Sequence, residues 1–294
     1  MRWLALILFL LPVTGSAAEV TRVTYIDATS LKLNPNNSYF GLLLKLALEK
    51  SSAEYGPYEL KSLDIEISQK RHLRELEKGT IDVFWTMTSY SREAEARVIR
   101  IPLTKGMYGI RLLAINQDDK DKFANISSLK ELANLNAIQG RDWPDTQVLR
   151  LNRLEVNTNI AESDLYPFLA QHTNNYFPRG VTEIFAETDS RSVSAVAVES
   201  HLMLVYPAAM YFFVARNNEA LAQRLEFGLK QAQADGSFDE LFYGFPPHRE
   251  AFERANFGKR RIWHLDNPLL PRTSNAQDIS NMQREVIERF SGKQ

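Results

Sequence analysis

Apolar and polar residues follow two different periods along the chain, and these periods predict its first structural elements. Residues 20–27 (VTRVTYID) are rich in β-branched side chains, which favours a strand. The apolar stretch 39–48 predicts a helix, and the polar stretch 69–78, ended by Gly79, predicts a second one. Residues 81–85 form a short apolar run typical of a buried strand. The resulting β-α-β-α-β order favours a mostly parallel sheet covered by helices.

The same rhythm restarts after a long apolar segment at residues 107–116, which can carry the chain into a second unit. Ser128 and Glu131 have the spacing of a capping box at the start of a helix. Residues 195–206 are again apolar enough to form a crossing segment. We therefore predict two α/β units joined by two extended segments. Ligands most often lie in the cleft between two such units.

These segments predict how the chain is divided. Residues 19–110 together with residues 204–245 are expected to form lobe 1, and residues 111–203 are expected to form lobe 2. The proline pair at 246–247 opens a C-terminal extension, residues 246–294, which ends in a helix. We expect this extension to pack on lobe 1.

The first eighteen residues have the pattern of a secretory signal peptide. Arg2 precedes an apolar run at residues 3–11, and residues 16–18 (Ser-Ala-Ala) provide the small side chains that signal peptidase needs. The run is shorter than the roughly 20 residues of a membrane-spanning helix. We expect residues 1–18 to be cleaved off after export. Because the chain has no cysteine to carry a lipid, we expect a periplasmic protein that is not a lipoprotein.

Composition narrows the possible functions. The 35 Lys and Arg residues balance the 36 Asp and Glu residues, so there is no electrostatic reason to bind nucleic acid. The absence of cysteine excludes thiol nucleophiles and thiolate metal sites. The histidines show no metal-ligand spacing: His72, His172, His201, His248 and His264. The sequence contains no catalytic triad order, phosphate loop or zinc helix motif. We therefore expect no bound metal or cofactor. The missing motifs also argue against catalytic activity, although they do not exclude an enzyme. We expect the protein to be a monomer.

Three stretches match one pattern in the correct order. Residues 76–97 (LEKGTIDVFWTMTSYSREAEAR) place a helix end, an Asp-bearing strand and a Thr/Ser-rich loop before an arginine. Residues 128–140 resemble the start of a second domain, and residues 211–237 resemble a last strand and helix. Over roughly residues 20–243 the chain resembles the bacterial periplasmic solute-binding proteins of the amino-acid-binding family, family 3. The resemblance implies the type II periplasmic binding fold: α/β, two lobes and two hinge strands, here with a C-terminal helical extension.

Two positions depart from the pattern of this family. Its carboxylate-binding arginine would stand where this chain has Ala94, so Arg92 or Arg97 replaces it or the role is absent. Its second-domain aspartate, which holds the ammonium group of the ligand, falls in a stretch that contains Arg179. An arginine there argues against a standard amino acid as ligand. The chain resembles a branch of the family marked by its RDWPDT and FPRG stretches.

The lobe 2 candidates lie at a predicted strand-to-helix junction. Free amides at a helix start favour an anionic group, and Arg141 can add a bidentate clamp. Trp143 can pack on a flat ligand face, or it can simply cover a domain surface. Asp145 is more simply explained as a helix cap. Arg179 lies at a strand end, where α/β folds place ligand contacts, and its alternative role is a salt bridge to Glu183.

The lobe 1 candidates share a position at the edge of a strand or helix that would face the cleft: Thr88, Ser89, Trp85, Arg92, Tyr39 and Asp27. Thr88 and Ser89 would offer hydroxyl groups to a ligand, whereas Trp85 can equally belong to the core. Tyr206, in the second crossing segment, is expected to serve as a hinge or wall residue.

The sequence thus predicts a periplasmic solute-binding protein. It would close by hinge motion on a small anionic or zwitterionic solute, amino-acid-like or carboxylate, and deliver it to an ABC importer. Two alternatives stay open. A periplasmic dehydratase or lyase on the same fold would need an acid and a base facing each other, for which Glu183 and Asp145 are the candidate pair. A sensor would instead present its closed form to a membrane receptor.

Overall fold

The computed structural model of the protein describes residues 20–26, 37–63, 65, 69–190 and 194–292. The expected signal peptide, residues 1–18, and the candidate Asp27 lie outside these residues. Within the described ranges, every helix is too short or too polar to cross a membrane.

The strands, in chain order, are β1 (Thr21–Ile26), β2 (Tyr58–Leu63), β3 (Val83–Met87), β4 (Arg97–Ile99), β5 (Ile110–Asn116), β6 (Asn136–Ile138), β7 (Glu155–Asn157), β8 (Asn175–Gly180), β9 (Val196–Val198), β10 (Leu202–Val205), β11 (Met210–Val214) and β12 (Arg261–His264). The α-helices are α1 (Asn37–Tyr55), α2 (Gln69–Lys78), α3 (Tyr90–Glu95), α4 (Lys120–Ala124), α5 (Leu129–Leu132), α6 (Pro144–Leu151), α7 (Leu165–Gln171), α8 (Ile184–Ser190), α9 (Glu219–Ala234), α10 (Ser237–Gly244), α11 (Pro246–Arg254) and α12 (Ala276–Ser291).

Two small sheets build lobe 1. Strand β1 pairs in parallel with β2, and β11 lies between β3 and β4 as their antiparallel neighbour. Asp82 links the two sheets: its amide donates to the Thr24 carbonyl at 2.8 Å, and its carboxylate accepts from the Thr24 amide at 2.7 Å. The predicted β-α-β-α-β order is confirmed. The sheet is not mostly parallel, because β11 returns from lobe 2 and runs against β3.

The long helices of lobe 1 pack closely at one glycine. A Cβ atom at Gly228 of α9 would lie only 1.9 Å from the carbonyl oxygen of Ala47 in α1. Only glycine permits this approach of the two backbones. Nearby, the buried Arg224 of α9 donates to the Gly56 carbonyl at 2.7 Å and to the Ser51 hydroxyl at 3.1 Å. Helix α9 is thereby fixed against the end of α1.

A larger mixed sheet builds lobe 2. Its strand order is β12-β10-β5-β8-β6-β7, with β9 also paired to β5. Strand β5 runs antiparallel to β10, β8 and β9, whereas β6 runs parallel to β7 and β8. Every residue of β5 and β8 is buried. The crossing segment predicted at residues 195–206 contains both β9 and β10.

Two adjacent segments carry the chain between the lobes. They meet where β10 ends and β5 begins, where the Tyr206 amide donates to the Gly109 carbonyl at 3.0 Å. The approach is close: a Cβ atom at Gly109 would lie 2.0 Å from the carbonyl oxygen of Tyr206. After this point, β11 continues into lobe 1. We call these two segments, residues 106–110 and 205–209, the hinge.

The C-terminal extension contacts both lobes. Strand β12 joins β10 in parallel at the edge of the lobe 2 sheet. Leu270 and Ile279, in contrast, are buried in a cluster whose other members belong to lobe 1, including Phe84 and Phe213. The extension therefore covers more than lobe 1, on which the sequence placed it, because the open edge of β10 accepts one further strand.

Candidate functional site

A buried arginine ties the hinge to lobe 2. Arg111, from β5, is 2% exposed. Its Nε donates to the Tyr206 hydroxyl at 2.9 Å, and one of its terminal nitrogens donates to the carboxylate of Asp145. Its other terminal nitrogen lies 3.7 Å from Glu183 Oε2. The Tyr206 hydroxyl also donates to Asp145. One guanidinium thus connects both hinge segments with the start of α6.

A second buried arginine continues this network. Arg179, at the end of β8, holds Glu187 with two bonds, Nε to Oε2 at 2.8 Å and Nη2 to Oε1 at 2.6 Å. Its Nη2 is also 3.1 Å from Glu183 Oε1, which is the salt bridge that the sequence offered as an alternative role. The Tyr166 hydroxyl donates to Glu187 at 2.9 Å. Glu183 therefore lies between the two guanidinium groups, and the network contains two arginines and three carboxylates.

Local sequence explains how α6 delivers Asp145. Pro144 stands at the first helical position, where its missing amide hydrogen costs nothing. Asp145 follows in the first turn, where a negative charge is favourable. Its side chain makes no capping bond and pairs with Arg111 instead, so the expected cap is not observed. The Thr146 hydroxyl, which donates to the Gly140 carbonyl at 2.7 Å, ties the first turn back to the preceding loop.

Burial and charge oppose each other at Arg111 and Glu183. Burial alone would lower the pKa of Arg111, but the neighbouring Asp145, Tyr206 and Glu183 raise it above its ordinary value. Burial raises the pKa of Glu183, and the two arginines reduce that rise without cancelling it. The neighbouring carboxylates Glu187 and Asp145 add to the rise, so the surroundings of Glu183 favour its protonated form.

Lobe 1 presents a different kind of arginine. Arg92, from α3, is buried and donates to the Met87 carbonyl at 2.8 Å and to the hydroxyl of Thr86. Ser89 caps α3 by accepting the amide of Arg92 at 3.3 Å, and the Thr88 hydroxyl donates to Glu93 at 2.7 Å. The two predicted hydroxyl residues thus shape the loop that holds Arg92.

The charge of Arg92 interacts with carboxylates of both lobes. Burial lowers its pKa to about 10, and the carboxylates that oppose this lowering are Asp145, Glu95 and Asp142. Asp142 and Asp145 belong to lobe 2. The charge of a basic group in lobe 1 therefore interacts with acidic groups of lobe 2. Of the two arginines that could replace the one missing at residue 94, Arg92 faces lobe 2, whereas Arg97 pairs with Glu219 on the surface, Nε to Oε2 at 2.7 Å.

Two lobe 1 candidates lie in the core rather than at an edge between the lobes. Trp85 is 7% exposed and stacks on Phe40 with ring centroids 5.3 Å apart. Tyr39 is fully buried, packs on His248 and donates its hydroxyl to the Leu103 carbonyl at 2.7 Å. In this conformation neither side chain is accessible to a solute, because the apolar residues around them complete the core of lobe 1.

The lobe 2 candidates differ in their surroundings. Arg141 is exposed, and within the described part of the chain it makes no hydrogen bond or ion pair. Trp143 is half-buried and stacks on Phe177, with the guanidinium of Arg179 4.8 Å from its ring centroid. A Cβ atom at Gly140 would lie 2.5 Å from this ring, so the glycine allows the indole to fold back. Trp143 thus covers the Arg179 network, while Arg141 remains available to a solute.

Sequence reasoning missed Arg111, Glu187 and Tyr166. A signal was present for the first of these. The apolar run at residues 107–116 contains Arg111 as its one charged residue, and a charge inside a buried strand requires a partner. The sequence neighbours of Glu187 and Tyr166 gave no signal that would single out either side chain. Among the described residues, no group of three His, Cys, Asp or Glu side chains is arranged to hold a metal ion.

No protein-family model matches the chain, and no curated protein sequence matches it. Solved structures do. An ancestral arginine-binding protein bound to arginine is 15% identical, with a TM-score of 0.55, and the match covers 79% of this chain and 100% of that one. The arginine-specific periplasmic binding protein of Salmonella typhimurium is 10% identical, with a TM-score of 0.56 and coverage of 76% and 97%.

An amino acid ABC transporter substrate-binding protein from Streptococcus pneumoniae, bound to L-arginine, is 14% identical, with a TM-score of 0.51 and coverage of 69% and 81%. At these identities the similarity concerns the fold. The chain has the two-lobed α/β fold of the periplasmic amino-acid-binding proteins, as its resemblance to that family predicted.

Proposed function

We propose that the protein is a periplasmic solute-binding protein that closes on a small zwitterionic solute, amino-acid-like in its charges, and delivers it to an ABC importer. The observation that carries this proposal is the opposition of charge between the lobes. Burial lowers the pKa of Arg92 on lobe 1, and the charges of Asp142 and Asp145 on lobe 2 oppose that lowering. The fold shared with arginine-binding proteins supports the same conclusion.

The charges assign the two ends of the solute. Its anionic group would bind the exposed Arg141, together with Arg92 from lobe 1. Its cationic group would lie against the exposed Asp142, because Asp145 is already paired with Arg111. Arg179 has a different role from the predicted anion clamp, because Glu187 and Glu183 already neutralise it. The solute favours closure because its contacts to both lobes exist together only in the closed form.

A thermal-shift screen of amino acids, carboxylates, peptides and sugars on the mature protein tests the proposal. A zwitterion at 100 times its dissociation constant should stabilise the protein by about 2.7 kcal/mol. Arg141→Ala should reduce this shift, whereas the matched control Arg150→Ala, an exposed arginine of α6 that donates to the Val156 carbonyl, should keep it. If no zwitterion stabilises the protein, or both variants respond like wild type, the proposed solute chemistry is wrong.

Export is part of this proposal. Protein recovered from a periplasmic extract should have the mass of a chain that starts at Glu19. A full-length chain, retained in the cytoplasm, would contradict the proposed location and with it the delivery to an importer.

An enzyme on the same fold is the second candidate, and one observation favours it. Glu183 and Asp145, the pair that the sequence offered as acid and base, both lie against Arg111. Burial raises the pKa of Glu183, as a general acid requires. Turnover of any ligand found in the screen, abolished in Glu183→Gln while binding persists, would favour catalysis. Binding without product would favour the solute-binding proposal.

A further inference from the structure

The last part of the chain is fastened to lobe 2. We call residues 261–291 the strap. Its strand β12 pairs with β10, and the Leu265 amide donates to the Val205 carbonyl at 2.8 Å. Asp266 and Asn152 form two hydrogen bonds with each other. The Asp266 amide donates to Asn152 Oδ1 at 3.0 Å, and Asn152 Nδ2 donates to the Asp266 carbonyl at 2.8 Å. These contacts hold the start of the strap to the lobe 2 sheet and to the end of α6.

A few residues further on, the strap is fastened to lobe 1. Leu270 is 8% exposed and Ile279 is fully buried, both within the lobe 1 cluster that contains Phe213. The Arg272 amide donates to the Tyr90 hydroxyl at 3.3 Å. Only residues 267–269 separate the lobe 2 attachment at Asp266 from the lobe 1 attachment at Leu270, so the strap has little slack.

The strap also bonds directly to the hinge. Gln283 of α12 is 2% exposed, and its Nε2 donates to the Gly106 carbonyl at 2.8 Å and to the Tyr206 carbonyl at 2.9 Å. The two carbonyls belong to the two different hinge segments. Asn267 adds a bond from its Nδ2 to the Pro207 carbonyl at 2.8 Å.

The hinge backbone is shaped to receive Gln283. Gly106 has a φ of 77°, and a Cβ atom there would lie 2.8 Å from Gln283 Cγ. A Cβ atom at Gly109 would lie 2.6 Å from Gln283 Nε2. Both glycines therefore permit the amide to insert between the segments, which any side chain would prevent.

We propose that the strap is a hinge clasp: it limits how far the two lobes open and so sets how readily the protein closes on its solute. This inference rests on the hinge closure of the proposed function. If the lobes open, the hinge segments move relative to each other, and the carbonyls of Gly106 and Tyr206 lose their buried bonds to Gln283, which costs free energy.

The test measures the distance between the lobes without any ligand. Because the chain has no cysteine, Glu77→Cys in lobe 1 and Glu155→Cys in lobe 2, both exposed, accept spin labels at two defined positions. Pulsed electron paramagnetic resonance then gives the distribution of interlobe distances. Gln283→Met keeps the length of the side chain and removes the amide. Gln277→Met, at an exposed position of the same helix, is the matched control.

Because the clasp limits opening, we expect Gln283→Met to shift the interlobe distances towards longer values and to broaden their distribution. Hydrogen exchange of the Tyr206 amide should become faster. Gln277→Met should keep the wild-type distribution. Asn267→Ala should cause a smaller shift, and it decides the question if Gln283→Met does not fold. Wild-type distances in the Gln283 and Asn267 variants would overturn the proposal, and so would an equal shift in the control. Since no solute is used, a failure of the clasp is distinguishable from a failure of the proposed solute binding.

Discussion

Both lobes contain buried arginines, but the pKa of the arginine in lobe 1 is lowered, whereas the pKa values of the arginines in lobe 2 are raised. Arg92 of lobe 1 donates to a carbonyl and a hydroxyl, and burial lowers its pKa to about 10. Arg111 and Arg179 of lobe 2 are paired with carboxylates, which raise their pKa values despite burial. A buried guanidinium held by carboxylates, as in lobe 2, mainly stabilises the fold.

The largest expected effect comes from breaking the lobe 2 network. Arg111→Met leaves Asp145 and Glu183 buried without their shared cation, so the free energy of unfolding should fall by about 3–5 kcal/mol. Urea denaturation followed by circular dichroism measures the loss. The exposed Arg150→Met should change stability by less than about 0.5 kcal/mol. A loss at Arg111 no greater than at Arg150 would contradict the assigned role of the network.

The next largest effect concerns a buried group that is neutral, His248, and it is a dependence of stability on pH. His248 is fully buried among aromatic rings, and burial lowers its pKa to about 4. The unfolded chain takes up a proton near pH 6.5, before the folded chain does, so stability is complete above that pH and falls as the pH drops towards 4. The loss should reach about 3 kcal/mol.

Chemical denaturation between pH 4 and pH 7 measures this loss, and His248→Phe should make the profile flatter. An equal slope in wild type and variant would show that His248 does not carry the pH dependence. The exposed His264→Phe serves as a control, since it should leave the slope unchanged.

Arg92 should matter less to stability than Arg111. Arg92→Met removes bonds to the Met87 carbonyl and the Thr86 hydroxyl, so the loss should be about 1–2 kcal/mol. The same denaturation series measures both variants. If Arg92→Met costs as much as Arg111→Met, the contrast between the two lobes is wrong.

The smallest effect is expected at Glu183. Its folded-state pKa is raised, so the folded chain retains a proton that the unfolded chain loses, and stability declines as the pH rises above the ordinary carboxyl value. Glu183→Gln imitates the protonated form, and at neutral pH it should change stability by less than about 1 kcal/mol. It should also remove part of the decline with pH. A loss as large as that of Arg111→Met would show that the network needs the charge of Glu183.

Local pattern allowed much of the fold to be predicted. The capping box at Ser128 is present, with Ser128 Oγ accepting the Glu131 amide at 3.2 Å, and the strand and helix expected within residues 211–237 are β11 and α9. The order of elements led to the correct two-lobed α/β fold. These features depend on the period of apolar residues and on turns within a few positions, and such information is present in any short stretch of the chain.

The pairing of charges, in contrast, was decided only by the tertiary structure. Arg111 meets Asp145 and Tyr206, which lie 34 and 95 positions further along the chain. Gln283 reaches Gly106 over 177 positions. An arginine at a strand end looks the same in sequence whether it faces a solute or a buried glutamate, so Arg179 could be singled out but not assigned. The partner of a charge depends on which distant elements the fold brings beside it, and no local period encodes that.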